Sequence, residues 1–454
     1  MEILNPYTQK VIGELSLLPI ENVDHVVSQA KSLKSQMKAL SSKERSDVLL
    51  EIISGIESRY EDLVNTIISE SGKPYKYASS EVDRAIQTFT FAAEEAKRLP
   101  HELLDLDSSL KGKGLKGEVV YYPAGIVFGI SPFNFPLNLA VHKIAPALAT
   151  GCPIILKPSS KTPLTMEMMA TIISETSLPE GAFQLVHCSR ETGNKFIEHK
   201  DVDLLSFTGS PSVGWEMKSN AGKKKVVLEL GGNAAAIVCR DANLDLAVDA
   251  LMLGGFAYAG QVCIHTQRIY VHNSNFDAFV NQFLKKINKL EIGDPMEKET
   301  EFSVMIDEQN AKRTEQWVQE ALDDGADLLV GHKREKSLYY PTVLSRVRKG
   351  AKVRDEEVFG PVVIIEPFDE LDAAIKEVND SKWGLQAAIF TNSIDARNEA
   401  FEKLNVGSVI HNKSTTFRVD DMPYGGIKDS GFGREGVRYA MRDYLEPKLL
   451  VRKG

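Results

Sequence analysis

The chain is poor in the residues that staple, chelate or anchor a protein. Its four cysteines stand at 152, 188, 239 and 263, with no CxxC pair, and its histidines form no cluster at metal-ligand spacing. A disulfide framework and a zinc site are therefore not expected, and no metal is; reduced thiols suit a cytoplasmic protein. Long apolar runs are also missing. The tract from Gly125 to Leu156 is interrupted by Pro132, Asn134, Pro136, Asn138, His142, Lys143 and Pro146, so no bilayer span and no membrane partner are expected. MEILNPYTQK has neither the basic nor the apolar region of a secretory signal. There is no excess of positive charge. A net charge of -9 with scattered lysines and arginines leaves no footprint for nucleic acid. It leaves an anionic substrate open, because a local pocket can be positive inside a negative protein.

What the chain does have is 43% hydrophobic residues over 454 positions, enough for two or three domains with sizeable cores. Residues 21–70 read as two amphipathic helices, and a third spans Glu81–Leu99. SSLKGKGLKGEVVYYP is a turn cluster running into alternation and predicts a β-hairpin excursion. From Gly125 short apolar runs (GIVFGI, CPIILKP, FQLVHC, DLLSFTGS, KVVLELGG) alternate with helical stretches such as Thr162–Glu175. Beyond residue 230 a second alternation follows, with AAAIV, QRIYVH, DLLVG, VVIIEPF, QAAIFT and GSVIHN, and EPKLLV ends the chain as an edge strand. The pattern predicts an α/β protein: two lobes built on parallel sheets, with a small β-extension made from two distant segments.

Several residues stand out chemically. Cys263 is a lone cysteine, a type that is usually a small buried hydrophobe. Glu229 sits among Val226, Val227, Leu228 and Leu230, so its charge is either paired or its pKa tuned. Asn134, between Phe133 and Phe135, has the makings of a turn cap. Gly431, Gly433 and Gly436 satisfy GxGxxG, but too few residues follow for a βαβ unit.

Seven motifs occur in order: SPFNFP (131–136), LKPSSKTP (156–163), SFTGSPSVG (206–214), LELGG (228–232), GQVC (260–263), EEVFGPV (356–362) and PYGGIKDSGFGREG (423–436). Together they closely resemble the aldehyde dehydrogenase superfamily over nearly the whole chain. SPFNFPLNLAVHKIAPA, YAGQVCI and MPYGGIKDSGFGREGV look most like its lactaldehyde dehydrogenase branch.

That resemblance implies a Rossmann-like NAD(P)-binding domain from residues 1–108 and 126–229, and an α/β catalytic domain over 230–422. A β-extension (109–125 with 423–454) would bridge a homodimer or homotetramer. Cys263 is implied as the nucleophile that forms a thioester, Glu229 as the base for its hydrolysis, and Asn134 as an oxyanion donor with the Cys263 N–H. Lys143 matches a proton-relay lysine, with an ordinary surface lysine as the alternative. The cofactor would lie on Ser131, Phe133, Lys157, Ser159, Ser160, Gly209, Ser210, Leu230, Glu357 and Phe359, and Cys188 near its adenine. The GxGxxG segment is structural in this family. Where NAD-preferring members carry a glutamate this chain has Ser160, flanked by Lys157 and Lys161, which favours NADP over NAD.

The implied substrate wall holds Asn138, His142, His265, Arg418 and Arg84, where members taking apolar aldehydes are largely aromatic. Each has a plainer reading: His142 as a satisfied core residue, Arg418 and Arg84 as surface ion pairs. Jointly they suggest a short polar aldehyde, with lactaldehyde or glycolaldehyde first. Sulfolactaldehyde, phosphonoacetaldehyde and succinic semialdehyde each add an anion for an arginine fork. Glu229 argues against acyl transfer to coenzyme A, and the set as a whole against a non-enzymatic binding protein.

Overall fold

The computed structural model describes residues 1–454. Two open sheets carry it. The first has six strands in the order Gly431–Phe432, Lys225–Glu229, Leu204–Thr208, Val127–Ile130, Ile154–Lys157, Phe183–Leu185, all parallel except the first. Its central strands are buried throughout, as continuous apolar runs in a parallel sheet require. One face packs on the helices Ser42–Ser58, Tyr60–Ser71, Tyr75–Glu95 and Asn138–Thr150, the other on Val23–Ala39 and Arg190–Glu198. Each Ile or Leu fully buried in these layers contributes about 1.5–3 kcal/mol.

Residues 21–70 form three helices where periodicity predicts two. Arg59 breaks the register between Ser42–Ser58 and Tyr60–Ser71, a one-residue interruption that leaves the apolar stripe nearly continuous. Ser41 and Glu44 close a reciprocal capping box at the start of the second helix, and Gly72, at φ +68°, ends the third. The fourth helix starts at Tyr75, directly after Pro74, rather than at Glu81, and it ends at Glu95.

The second sheet has seven strands, in the order Asp327–Val330, Thr342–Ser345, Val362–Phe368, Arg268–His272, Ala235–Val238, Gln386–Phe390, Ser408–His411. Only the Asp327–Val330 edge is antiparallel. Helices again cover both faces, Leu244–Phe256 and Glu308–Asp323 on one side and Leu371–Asn379 and Ile394–Lys403 on the other.

The excursion is a three-stranded antiparallel sheet. Leu115–Pro123 is its centre, with His101–Asp105 and the C-terminal Leu445–Lys453 on either side. It therefore reaches back to residue 101. No helix is long and apolar enough to cross a membrane.

Candidate active site

In the first sheet the chain runs from Val127–Ile130 outward through Ile154–Lys157 to Phe183–Leu185, then returns to the opposite side as Leu204–Thr208. The two loops leaving this reversal point at the carboxyl ends of the strands are Ser131–Leu137 and Gly209–Ser210, the place where open α/β sheets bind ligands. Lys157 ends the adjacent strand and Glu229 the next one over.

These loops meet the segment carrying Cys263. Helix Leu244–Phe256 gives way to a turn in which Tyr258, Ala259 and Gly260 take φ values of +48°, +50° and +67°. Left-handed backbone at two non-glycine residues is costly and survives only where the surroundings enforce it. The turn presents the Gln261 carbonyl to Asn134, whose Nδ2 donates to it at 3.0 Å. Asn134 is thereby tied to the cysteine loop and not used as a turn cap; the second hydrogen of its amide is left for another acceptor.

Cys263 is half-buried, and its Sγ lies 3.0 Å from the Tyr424 hydroxyl. Burial pushes its thiol up to about 12, against the pull of the Tyr424 contact. Glu229 is buried and neither carboxylate oxygen has a hydrogen-bond partner. Its pKa is well above the usual carboxylate range, first through burial and then through the charge of Glu435, with Arg418 and Lys143 opposing. Lys143, also buried, donates to Thr208 Oγ1 at 2.6 Å and to Glu435 Oε1 at 3.3 Å. It is thus a core ion-pair lysine and not a surface one. Glu435 lies within the glycine segment set aside as structural, whose Gly431–Phe432 pairs as an edge strand.

A cavity of about 730 Å³ opens beside Cys263 and is lined by Phe135, Tyr424, Phe417, Arg84 and Arg418 among others. Asn138, His142 and His265 do not line it. His265 is turned away, with Nε2 2.9 Å from the Gly255 carbonyl, and Val262 and Ile264 take the wall instead. His142 and Asn138 stand behind the arginines. His142 Nε2 lies 2.8 Å from Asp420 Oδ1 and 3.0 Å from Arg418 Nη2, and Asn138 Nδ2 reaches the same carboxylate at 3.4 Å.

Arg84 forks onto Asp420 through Nε and Nη2, at 3.0 and 2.6 Å. Arg418 donates from Nη2 to Glu435 at 3.1 Å and lies over the Tyr424 ring, 3.8 Å from its centroid. Both arginines are ion-paired, but the pairs are inside the protein. Asp420 is only 1% exposed, and its carboxyl is held far below the usual range against its own burial by His142 and Arg84. Asp420 and Glu435 are the acids that sequence reasoning missed. Glu435 sat inside a quoted motif, whereas Asp420 lies in an irregular loop and carries no periodic signal.

The residues assigned to the dinucleotide converge on the same loops. Phe133 and Phe359 meet edge to face, with centroids 5.7 Å apart. Glu357 accepts from the Gly232 N–H at 2.9 Å, and burial raises its carboxyl to about 7. A Cβ on Gly231 would come within 2.3 Å of Glu357, and one on Gly209 within 2.6 Å of the Phe207 ring, so both glycines keep this surface open. Ser131 Oγ is buried without a partner. Lys157, half-buried, reaches only the Pro158 carbonyl at 3.3 Å, and the Gly193 position lies between it and Cys188. Ser159 accepts from the Lys161 N–H, and Ser160 is exposed. Ser210 caps the helix Pro211–Asn220 without a side-chain bond, and the Leu230 N–H is taken by the Ser430 carbonyl. An unpartnered hydroxyl, an ammonium without an acidic partner and a half-buried carboxylate around glycine-lined backbone fit a ribose and phosphate ligand. Lys161 is different: its ammonium is 2.7 Å from Asp307.

A family model described as the aldehyde dehydrogenase family matches residues 1–450. The 3-sulfolactaldehyde dehydrogenase of Priestia megaterium is 42% identical over 453 residues, covering 99% of this chain and 94% of that protein. The crystal structure of aldehyde dehydrogenase 21 from Physcomitrella patens, in complex with the reaction product succinate, matches with a TM-score of 0.98 at 44% identity, covering 100% of this chain and 95% of that one. Glyceraldehyde-3-phosphate dehydrogenase from Methanocaldococcus jannaschii, complexed with NADP, matches with a TM-score of 0.96 at 39% identity, covering 100% and 99%. The chain belongs to the aldehyde dehydrogenase family and is an NAD(P)-dependent oxidoreductase acting on aldehydes.

Proposed function

We propose that the chain oxidises a short, polar, acidic aldehyde of the sulfolactaldehyde kind to its carboxylic acid, with NADP favoured over NAD. The observation that carries the substrate class is the pair of arginines on the wall of the Cys263 cavity. Arg84 uses Nε and Nη2 on Asp420, and Arg418 uses Nη2 on Glu435, so each guanidinium keeps Nη1 for a ligand. Two such groups suit a carboxylate, sulfonate or phosphonate. A relative named for 3-sulfolactaldehyde and a structural neighbour holding succinate support this reading. Lactaldehyde and glycolaldehyde, which the sequence pattern ranks first, need only hydroxyl recognition and make no use of the two remaining Nη1 groups.

In the proposed cycle the Cys263 thiol is deprotonated toward Glu229, the one buried carboxylate nearby without a partner. The thiolate adds to the aldehyde carbon, and the oxyanion is received by the free amide hydrogen of Asn134 and the Cys263 N–H. Lys157, Glu357 and the glycine-lined loops would hold the nicotinamide cofactor, which would supply the hydride acceptor needed to turn the thiol adduct into the thioester. Once it has released the thiol's proton to solvent, Glu229 takes a proton from the water that hydrolyses the thioester. Lys143 and Glu435, with opposite effects on Glu229, set how tightly it holds that proton. A carboxylate at this position favours hydrolysis over transfer to coenzyme A, which assay of the product as acid or acyl-CoA decides.

Preference for NADP rests on Ser160, which puts no carboxylate near a 2′-phosphate, and on the unpaired Lys157. Lys161 contributes less than its position suggests, being held by Asp307. The six-stranded sheet and its helices would form the cofactor domain, and the seven-stranded sheet the catalytic domain. The three-stranded sheet would join subunits of a dimer or tetramer, because its outer strands leave one side unpaired and Leu103, Leu449, Leu450 and Val451 are exposed.

Initial rates of NADPH and NADH formation with 3-sulfolactaldehyde, succinic semialdehyde, phosphonoacetaldehyde, lactaldehyde and propanal test both preferences. An anionic aldehyde should lead in kcat/KM by roughly tenfold or more, about 1.4 kcal/mol of selective transition-state binding. Lactaldehyde leading, with the anions behind, overturns the acidic class.

A further inference from the structure

Outside the site already described, the interior holds one other ion pair in which both partners are wholly buried, Lys73 with Glu81. Lys73 follows the helix-ending Gly72, and Glu81 lies on helix Tyr75–Glu95. Both belong to the N-terminal helical layer, Lys73 in a link between two of its helices, yet what they touch is the catalytic loops. The Lys73 ammonium lies over the Phe135 ring, 4.0 Å from its centroid, and 4.7 Å from that of Tyr258. Phe135 is the residue next to Asn134. Tyr258 opens the left-handed turn that leads to Cys263, and its hydroxyl donates to the Ser71 carbonyl at 3.0 Å. Glu81 accepts the ammonium on Oε2 and uses Oε1 for the N–H groups of Leu137 and Asn138, at 2.9 and 3.1 Å. These are first-turn donors of helix Asn138–Thr150, which have no partner within their own helix.

We infer that Lys73 and Glu81 are positioning residues that set the register between the loop bearing Asn134 and the turn bearing Cys263. The cation holds an aromatic ring from each loop, and the carboxylate fixes the chain immediately after the first. A buried cation between two rings is directional and little screened, so it defines a separation in a way that an apolar contact does not. The strained Tyr258–Ala259 backbone has its enforcing contact here. Oxyanion stabilisation depends on donor placement to within a fraction of an ångström, and Lys73 adds to the Asn134–Gln261 bond a second contact between the two loops.

This inference rests on the assignment of Cys263 and Asn134 above, and one experiment separates the two. In the parent enzyme, with whichever aldehyde of the panel it turns over fastest, a single-turnover burst of NADPH tests the assignment. The ratio of variant to parent tests the inference. The double variant Lys73→Met with Glu81→Gln removes both charges at nearly constant volume and keeps an amide oxygen for Leu137 and Asn138. At saturating substrate its burst rate should fall tenfold or more. Alkylation of Cys263 by iodoacetamide, which needs no oxyanion donor, and NADP binding measured by fluorescence should each stay within twofold. A fall in burst rate of less than fivefold overturns the inference. So does a parallel fall in all three measurements, which marks a merely structural pair. If the double variant yields no folded protein, Glu81→Gln alone is held to the same outcomes.

Discussion

Cys263 and Glu229 lie where water is scarce, and burial disfavours the ionised form of both. A thiol raised to about 12 is a poor nucleophile until a base relieves it, and a carboxyl held protonated is a poor base until the pH rises. The sign follows. Glu229 acts only when deprotonated, so thioester hydrolysis should accelerate as pH rises through its elevated pKa and level off above it. We expect kcat, where hydrolysis limits, to climb with pH above the ordinary carboxylate range, because burial and Glu435 raise the Glu229 carboxyl; a profile flat from the ordinary carboxylate range upward removes Glu229 as the titrating base. In Glu229→Gln acylation should slow, since the thiol loses its base, and hydrolysis should slow further, so that the acyl-enzyme accumulates and is seen by mass spectrometry as an adduct on Cys263. Cys263→Ala should lower turnover roughly a thousandfold or more while leaving NADP binding intact. Loss of binding instead would mean that the cysteine loop shapes the cofactor site.

At the level of elements, two buried carboxylates from neighbouring helices serve the starts of two helices packed on the first sheet. Glu81 meets the start of Asn138–Thr150, and Glu70 meets the start of Leu164–Ser174, accepting from the Leu164 N–H at 2.6 Å and the Thr165 N–H at 3.1 Å. Burial raises the Glu70 carboxyl to about 8 despite these donors. A group whose pKa is higher folded than unfolded contributes stability at low pH that is lost as pH rises through the folded value. The melting temperature should therefore decline from about pH 4.5 to about pH 8 and level off above it, and decline less in Glu70→Gln, which cannot titrate. An equal decline in both assigns the loss elsewhere. The cofactor loop makes a second element-scale prediction. Gly231→Ala places a methyl group 2.3 Å from the Glu357 carboxylate and must displace it. The KM for NADP should rise at least about tenfold with little change in Cys263 alkylation, and an unchanged KM would take Glu357 out of the cofactor site.

For the molecule as a whole, the unpaired side of strand Leu445–Lys453 and its exposed Leu449 and Val451 are the surface most exposed to association. Light scattering should find a dimer or tetramer. The pair Leu449→Lys and Val451→Lys should shift it toward monomer by placing charges on that strand without disturbing its backbone pairing to Leu115–Pro123. A parent that is already monomeric rules out this sheet as a subunit bridge.

Much of this organisation was legible in the chain itself. Buried parallel strands are continuous apolar runs, so Val127–Ile130, Ile154–Lys157 and Arg268–His272 could be read directly, and the ordered motifs around Cys263, Glu229 and Asn134 identified the family. Periodicity is blind to a break that preserves the stripe, which is why Arg59 passed unseen, and it cannot register two-residue strands such as Trp383–Gly384. Composition placed no histidine or arginine inside or outside the cavity. Whether Arg418 faces a substrate or a glutamate depends on Glu435, which neighbours it only in space. The sequence by itself determined the two-sheet α/β architecture and the reaction class, because burial periods and motif order are properties of neighbours along the chain. The tertiary structure alone decided that Asn138, His142 and His265 stand behind the wall. It also decided that Lys161 is occupied, and that Lys73 and Glu81 reach the catalytic loops, because charge pairing in a low-dielectric interior is set by contacts between segments far apart in sequence.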